Sequence, residues 1–229
     1  MLQDILTRLG IELNGMQEAA MHAMLHSNKD VVVLSPTGSG KTLAYLLPLV
    51  QLIDPSVDTP QALVITPGRE LALQSANVLA TMHTPVKAMA CYGGRPTMDA
   101  HRLLRKVMPQ VIFGTPGRLN DHIDKGNFEI ENIKYLIIDE FDKCLEMGFQ
   151  NEMSKLIVQR FHIVEFSSYL LAHPLRSGPH HRFGSHAVWY HCLAATCKRI
   201  GKKFIPHRSR FMETDRKSTR LNSSHLVIS

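Results

Sequence analysis

The chain reads as an α/β protein: a mostly parallel sheet with helices on both faces, followed by an irregular tail. Three observations predict this. Short, apolar, mostly β-branched runs recur through the first 160 residues, the pattern of strands buried on both faces. Amphipathic stretches of helical period separate them, so each strand is followed by a crossover long enough to return parallel. After Arg160 both periods fail.

In chain order, a helix over Met16–His26 precedes the strand Val31–Leu34. The apolar stretch KTLAYLLPLVQL then predicts a helix over Lys41–Leu52. The strand Ala62–Ile65 leads to a helix over Arg69–Met82, and Ala88–Cys91 leads to one over Met98–Val107. Val111–Phe113 is followed by a helix over Gly117–Lys125, and Tyr135–Ile138 is the last clear strand. In a sheet of this kind ligands belong at the carboxyl ends of the strands. Beyond that point HPLRSGPHHRFGSHAVWYHC keeps no period, and the closing DRKSTRLNSSHLVIS is polar, without a recognisable element. The expected organisation is therefore an ordered domain over 1–162, incomplete at its last strands, and an irregular basic tail over 163–229 that is disordered or an artefact of cloning or frame.

The chain has 229 residues and is 44% hydrophobic, ample for a core and against wholesale disorder. It holds no apolar run of about 18 residues and its start lacks a signal peptide's basic and apolar regions. No membrane association is expected. Four cysteines without close pairing suit a reducing, cytoplasmic setting, and a monomer is the expected state. The net charge of +6 is unevenly spread. Residues 1–160 carry 15 Lys+Arg against 17 Asp+Glu, whereas 161–229 carry 11 against 3. Global charge therefore says little about what the ordered part binds. The histidines around His180, His181, His186 and His191, with Cys192, lack the ligand spacing of a structural zinc site.

Two stretches carry the chemistry. SPTGSGKT, 35–42, follows the VVVL strand. Ser35 departs from the strict first glycine of G-x-x-x-x-G-K-[ST], but Gly38-Ser39-Gly40-Lys41-Thr42 fits. Small residues let the backbone N–H groups of Thr37, Gly38, Ser39 and Gly40 curl around phosphate oxygens at a helix amino end. Lys41 then reaches the terminal phosphates and Thr42 holds Mg²⁺. The second stretch, YLIIDEFDKCLEMGF, ends a strand in acids. Asp139 is placed to hold Mg²⁺, and Glu140 to orient or deprotonate a water. Such acids in isolation also cap helices. Paired with a phosphate loop, they predict nucleoside triphosphate hydrolysis with ATP and Mg²⁺.

With these motifs in order, the chain resembles the first RecA-like domain of a DEAD-box RNA helicase, over about residues 5–160. The D-E-A-D signature stands as Asp139-Glu140-Phe141-Asp142, with Phe141 in the alanine position. The resemblance implies that Asp142 links the nucleotide state to a neighbouring serine or threonine motif. It makes Gln17 the adenine reader, although Asn14-Gly15 replaces the usual proline-threonine. TPGRELA corresponds to P-T-R-E-L-A, with Gly68 for threonine. Pro67, Gly68 and Arg69, then Gly93 and Gly94, then Thr115, Pro116, Gly117 and Arg118, correspond to RNA-contacting motifs. Backbone amides at Gly93, Gly94 and a helix start near Gly117 suit phosphate contact without base reading. Arg69 and Arg118 either line the RNA or brace their loops through salt bridges; both roles are compatible.

Other expectations concern what is missing. No serine-alanine-threonine motif closes the strand due near residue 170, although Ile163–Ser168 offers an imperfect filler. Without it the middle of the sheet opens and the chain is marginally stable. The family's second RecA-like domain is also absent from these residues. The expected function is that of a DEAD-box ATP-dependent RNA helicase. This fragment alone is expected to bind ATP and RNA weakly, without efficient unwinding. The alternatives are a related DNA helicase or translocase fragment, or a non-catalytic RNA-binding module of the same fold.

Overall fold

The computed structural model describes residues 2–27, 31–94, 97–160, 212–213 and 223–228. They belong to two compact units, Met1–Lys143 with Met212–Ser229, and Cys144–Phe211.

In the first unit the strands are β1 (Val31–Pro36), β2 (Ala62–Ile65), β3 (Ala88–Cys91), β4 (Val111–Gly114), β5 (Tyr135–Ile138), β6 (Met212–Glu213) and β7 (Ser223–Ile228). They form one sheet in the order β3-β4-β2-β5-β7-β1-β6. Parallel pairing joins β3, β4, β2 and β5 in register, as in Ile65↔Gly114 and Ile65↔Ile138. This matches the α/β expectation, and the five predicted strands fall where the apolar runs lie. Ala62–Ile65 and Val111–Phe113 are wholly buried, as continuous apolar strands under two helical layers must be.

The helices are α1 (Leu2–Leu9), α2 (Gly15–His26), α3 (Lys41–Leu52), α4 (Arg69–Thr81), α5 (Thr97–Val107), α6 (Pro116–Asp124) and α7 (Phe141–Glu146). Helix α2 starts on a capping box, in which Asn14 accepts from the Gln17 N–H while Gln17 accepts from the Asn14 N–H, both at 3.0 Å. Helix α3 runs through Pro48, where an interior proline costs about 3 kcal/mol. Every residue from Ala44 to Val50 is buried, and that packing outweighs the lost hydrogen bond. Helix α1, which no predicted element covered, buries Ile5 and packs Leu2, Leu6 and Leu9 against the core. Arg8 fastens it by donating to the Met82 carbonyl at 2.9 Å.

The middle of the sheet is not open. Ser223–Ile228, where the sequence predicts no element, runs antiparallel between β1 and β5, pairing Val31↔Ile228 through Pro36↔Ser223 on one side and Ile137↔Ile228 on the other. The physical reason is the one that made an open slot costly: the backbone groups of β1 and β5 need partners, and an antiparallel ladder supplies them. Strand β6 adds Val33↔Met212 beyond β1. The candidate filler at 163–168, and the histidines from 180 to 191 with Cys192, lie outside the described residues.

In the second unit the chain continues into α8 (Gln150–Ser154) and a π-helical turn, Lys155–Arg160. Met153, Leu156 and Ile157 are buried. Among the described residues no helix is long and apolar enough to cross a membrane.

Candidate nucleotide and nucleic-acid site

Strand β1 delivers Ser35 and Pro36 to a tight turn over Thr37–Gly40, and α3 begins at Lys41. Gly38 and Gly40 have φ of +83° and +87°, the left-handed region glycine enters without penalty. At Gly40 the requirement is double, because an added Cβ would lie 2.4 Å from Gln17 Nε2. That amide donates to the Gly40 carbonyl at 3.2 Å, and Asn14 Nδ2 donates to the Ser39 carbonyl at 3.1 Å. The start of α2 thus clamps the turn. Lys41 is buried and its ammonium donates to the Ser35 and Pro36 carbonyls, each at 2.8 Å. Burial lowers its pKa, against the opposing charges of Asp139, Glu140 and Asp142.

At the end of β5, Asp139 is 2% exposed. Its N–H donates to the Ile65 carbonyl at 2.9 Å, and its Oδ2 accepts from the Tyr45 hydroxyl at 3.4 Å. Burial, reinforced by the Glu140 charge, pushes its pKa up to about 6, while Lys41 pulls it down. Glu140 sits at φ +53°, a left-handed conformation costing roughly 1–3 kcal/mol for a residue with a side chain and found most often at functional sites. Its carboxylate pairs with Lys143 at 3.0 Å. Phe141, in the usual alanine position, is accommodated by full burial at 1% exposure. Asp142 lies in the first turn of α7.

Thr37, Gly38, Gly40, Lys41, Thr42, Asp139 and Glu140 line one cavity of about 470 Å³, to which Leu9, Ile11, Leu43, Leu71 and Val78 add apolar lining. A buried lysine, a threonine hydroxyl and two carboxylates at a cavity edged by glycine amides make a donor set that fits a polyphosphate with an oxygen-ligated Mg²⁺. Gln17 is not brought to the cavity wall. Its amide is buried and engaged on both sides, by Asn14 and Gly40. Ser39 also lies off the wall, its hydroxyl buried and, among the described residues, without a hydrogen-bond partner. Among the described residues no cluster of three or more His, Cys, Asp or Glu could hold a metal, so any cation here relies on the threonine and phosphate oxygens as well.

The second group of predicted residues gathers at the same ends of β2, β3 and β4, which are neighbours in the sheet. The Thr66 N–H donates to the Gly114 carbonyl at 2.9 Å and the Thr115 N–H to the Cys91 carbonyl at 3.3 Å. Gly114 permits this approach, since a Cβ there would meet Cys91 O and Leu119 Cδ2 at 2.6 Å. Gly93, Gly94 and Gly117 are exposed and Gly68 partly so. Helices α4 and α6, beginning at Arg69 and Pro116, carry no side-chain cap from Gly68 or Thr115, so their first-turn amides lack that partner. Arg69 is exposed, with its Nη1 4.0 Å from where a Gly94 Cβ would be. Arg118 is largely enclosed and pairs with Asp121 at 3.2 Å, and Asp121 also pairs with Lys125 at 2.5 Å. Pro67 and Pro116 are buried, so they shape the turns rather than present surface. Behind α6, Asn127 bridges His101 and His122. His122 is buried, and desolvation followed by the Arg118 charge lowers its pKa to about 4.

Three residues of this region escaped the motifs: Asn14, Tyr45 and Gly114. Asn14 was detectable as the first member of a capping box three residues before Gln17. The other two depend on contacts between distant segments.

The family profile described as DEAD/DEAH box helicase matches residues 14–169. The chain is similar to the ATP-dependent RNA helicase DeaD of Escherichia coli K12, 38% identical over 159 residues, covering 68% of this chain and 25% of that protein. It superposes on the crystal structure of a DEAD box protein from Methanococcus jannaschii with a TM-score of 0.64 and 31% identity, over 68% of this chain and 43% of that one. The RNA helicase Prp28 from Chaetomium thermophilum, solved bound to ADP, gives 0.61 and 32%, over 68% and 40%. The chain thus spans about a quarter of the DeaD relative's length. A glycine turn and a strand-end acid pair on one cavity, set beside a second row of motifs, carry the same meaning as the profile: the chain belongs to the DEAD/DEAH box helicase family.

Proposed function

We propose that the chain is the ATP-binding part of a DEAD-box ATP-dependent RNA helicase, coupling ATP binding and hydrolysis to RNA binding and local duplex unwinding. The observation that carries this is the single cavity shared by Lys41, Thr42, Asp139 and Glu140. The Thr37–Gly40 backbone cradles the phosphates, and Lys41 leaves the Ser35 and Pro36 carbonyls to meet them. Thr42 and Asp139 hold Mg²⁺, which when bound neutralises charge on the phosphates. Glu140 orients the attacking water. Gln17 reads adenine once its amide turns from the Gly40 carbonyl, so base recognition and the shape of the phosphate loop are linked. Asp142 transmits the nucleotide state.

RNA lies across the ends of β2, β3 and β4, where Gly68, Gly93, Gly94 and Gly117 offer backbone amides. Arg69 supplies exposed charge, and Arg118 works both as a brace through Asp121 and as a contact. The DeaD and Prp28 relatives are named as RNA helicases and one was solved with ADP, which supports the substrate pair. The setting is a cytoplasmic monomer. On their own the 229 residues bind ATP and RNA weakly and do not unwind efficiently, since turnover in the family draws on a second RecA-like domain.

The test is nucleotide binding. Lys41→Ala should weaken Mg·ATP binding by about 10–100-fold, the loss of one or two charge-assisted hydrogen bonds. Glu140→Gln should leave binding within about threefold, because its role belongs to the chemical step. Equal binding by Lys41→Ala and the parent chain would refute the site.

A further inference from the structure

Tyr45 is fully enclosed on α3, one turn beyond Thr42. A buried tyrosine needs a partner for its hydroxyl, and packing alone would be met by phenylalanine. The partner is Asp139 Oδ2, at 3.4 Å. The three-residue spacing puts Thr42 on the same helix face. Ser75, on α4, is buried, and its Oγ has no hydrogen-bond partner among the described residues. Lys41 forms no ion pair with Asp139; its ammonium donates to two carbonyls instead. Among the described residues, the Glu140 backbone N–H and the Tyr45 hydroxyl are the groups that engage the acid's side chain.

We propose that the Tyr45 hydroxyl is a positioning group for the divalent-cation subsite, donating to one oxygen of Asp139 so that the other faces the cation together with the Thr42 hydroxyl. This rests on the reading that Asp139 serves a cation. Outer partners of a metal-binding carboxylate set its orientation, and their loss typically lowers metal affinity by about 10–100-fold.

Binding of a fluorescent ATP analogue to the whole chain, measured in Mg²⁺ and again in EDTA, isolates the cation's share as the ratio of the two affinities. Tyr45→Phe should reduce that ratio about tenfold, with affinity in EDTA unchanged within about twofold because the ring remains. Asp139→Asn should abolish the ratio, and adding Tyr45→Phe to it should change nothing further. If Asp139→Asn abolishes the ratio and Tyr45→Phe does not move it, the inference fails and the cation reading stands. If neither moves it, both fail. Equal loss in Mg²⁺ and EDTA, or a Tyr45→Phe chain that does not fold by circular dichroism, would make the hydroxyl a packing element and overturn the proposal.

Discussion

Replacing Gly40 with alanine tests whether α2 and the phosphate loop are one mechanical unit. Two penalties apply. The first is conformational: at φ +87° a side chain costs about 1–2 kcal/mol. The second is local crowding, with the new Cβ 2.4 Å from Gln17 Nε2. The amide must move, losing its bond to the Gly40 carbonyl and straining the one from Asn14, each worth about 0.5–1.5 kcal/mol. Gly38→Ala supplies the control. Its φ is +83°, but a Cβ there meets nothing within 4 Å, so only the first penalty applies. Gly40→Ala should therefore be the more destabilising by roughly 1–3 kcal/mol, a further drop in Tm of about 2–4 °C per kcal/mol for a chain of this size. Adding Gln17→Ala to Gly40→Ala should recover part of that difference, because the obstructing amide is gone. Urea and thermal denaturation of the four chains measure this. Equal loss in Gly40→Ala and Gly38→Ala, with no recovery on removing Gln17, would refute the clamp.

Two further predictions concern the cap and the buried titrating groups. Asn14→Ala removes both the cap on α2 and the donor to Ser39 O, and should destabilise by about 1–2 kcal/mol; Asn14→Ser keeps the cap and should recover most of the stability in urea titrations but not the ATP-analogue affinity. His122, with its pKa lowered to about 4, refuses a proton that the unfolded chain accepts between there and 6.5, so its contribution to stability is full above 6.5 and is lost as pH falls toward 4. Asp139, raised to about 6, opposes it: the folded state keeps a proton that the unfolded chain gives up above 3.8. In an Asp139→Asn background the histidine acts without that opposition, and stability should fall by roughly 1–3 kcal/mol between pH 7 and 4.5 relative to Asp139→Asn/His122→Gln. Parallel pH profiles for those two chains would refute the burial of a neutral imidazole.

The sequence was most legible where local pattern and tertiary demand coincide. Ala62–Ile65 and Val111–Phe113 are apolar throughout because both faces are covered, so their runs mark them directly as strands. The Gly38–Thr42 turn was readable because phosphate geometry demands small residues followed by a helix. Helix α1 went unpredicted although Leu2, Ile5, Leu6 and Leu9 follow the helical period; without a motif nearby, an eight-residue stretch carries little weight. Strand β7 was missed for a different reason: a polar SSH start hides a strand whose place is set by the unpaired edges of β1 and β5 rather than by its own residues. At the site, the acids and the lysine could be named from spacing, whereas the turning-in of Gln17 and the Tyr45 contact arise from segments far apart in the chain.

The arrangement of charge in the cavity differs from that of a structural ion pair. Burial pushes Lys41 and Asp139 in opposite directions, each toward its neutral form. Two such groups at one cavity would ordinarily relieve each other by direct contact, and a buried pair of that kind is costly to open, about 3–5 kcal/mol when one partner is lost. Here neutral dipoles intervene: two carbonyls hold the ammonium, and a phenol holds the carboxylate. Such dipoles release a charge more cheaply than an opposite charge does. A ligand bearing both signs, anionic phosphate with its cation, can therefore satisfy the lysine and the aspartate together without first breaking a bond between them.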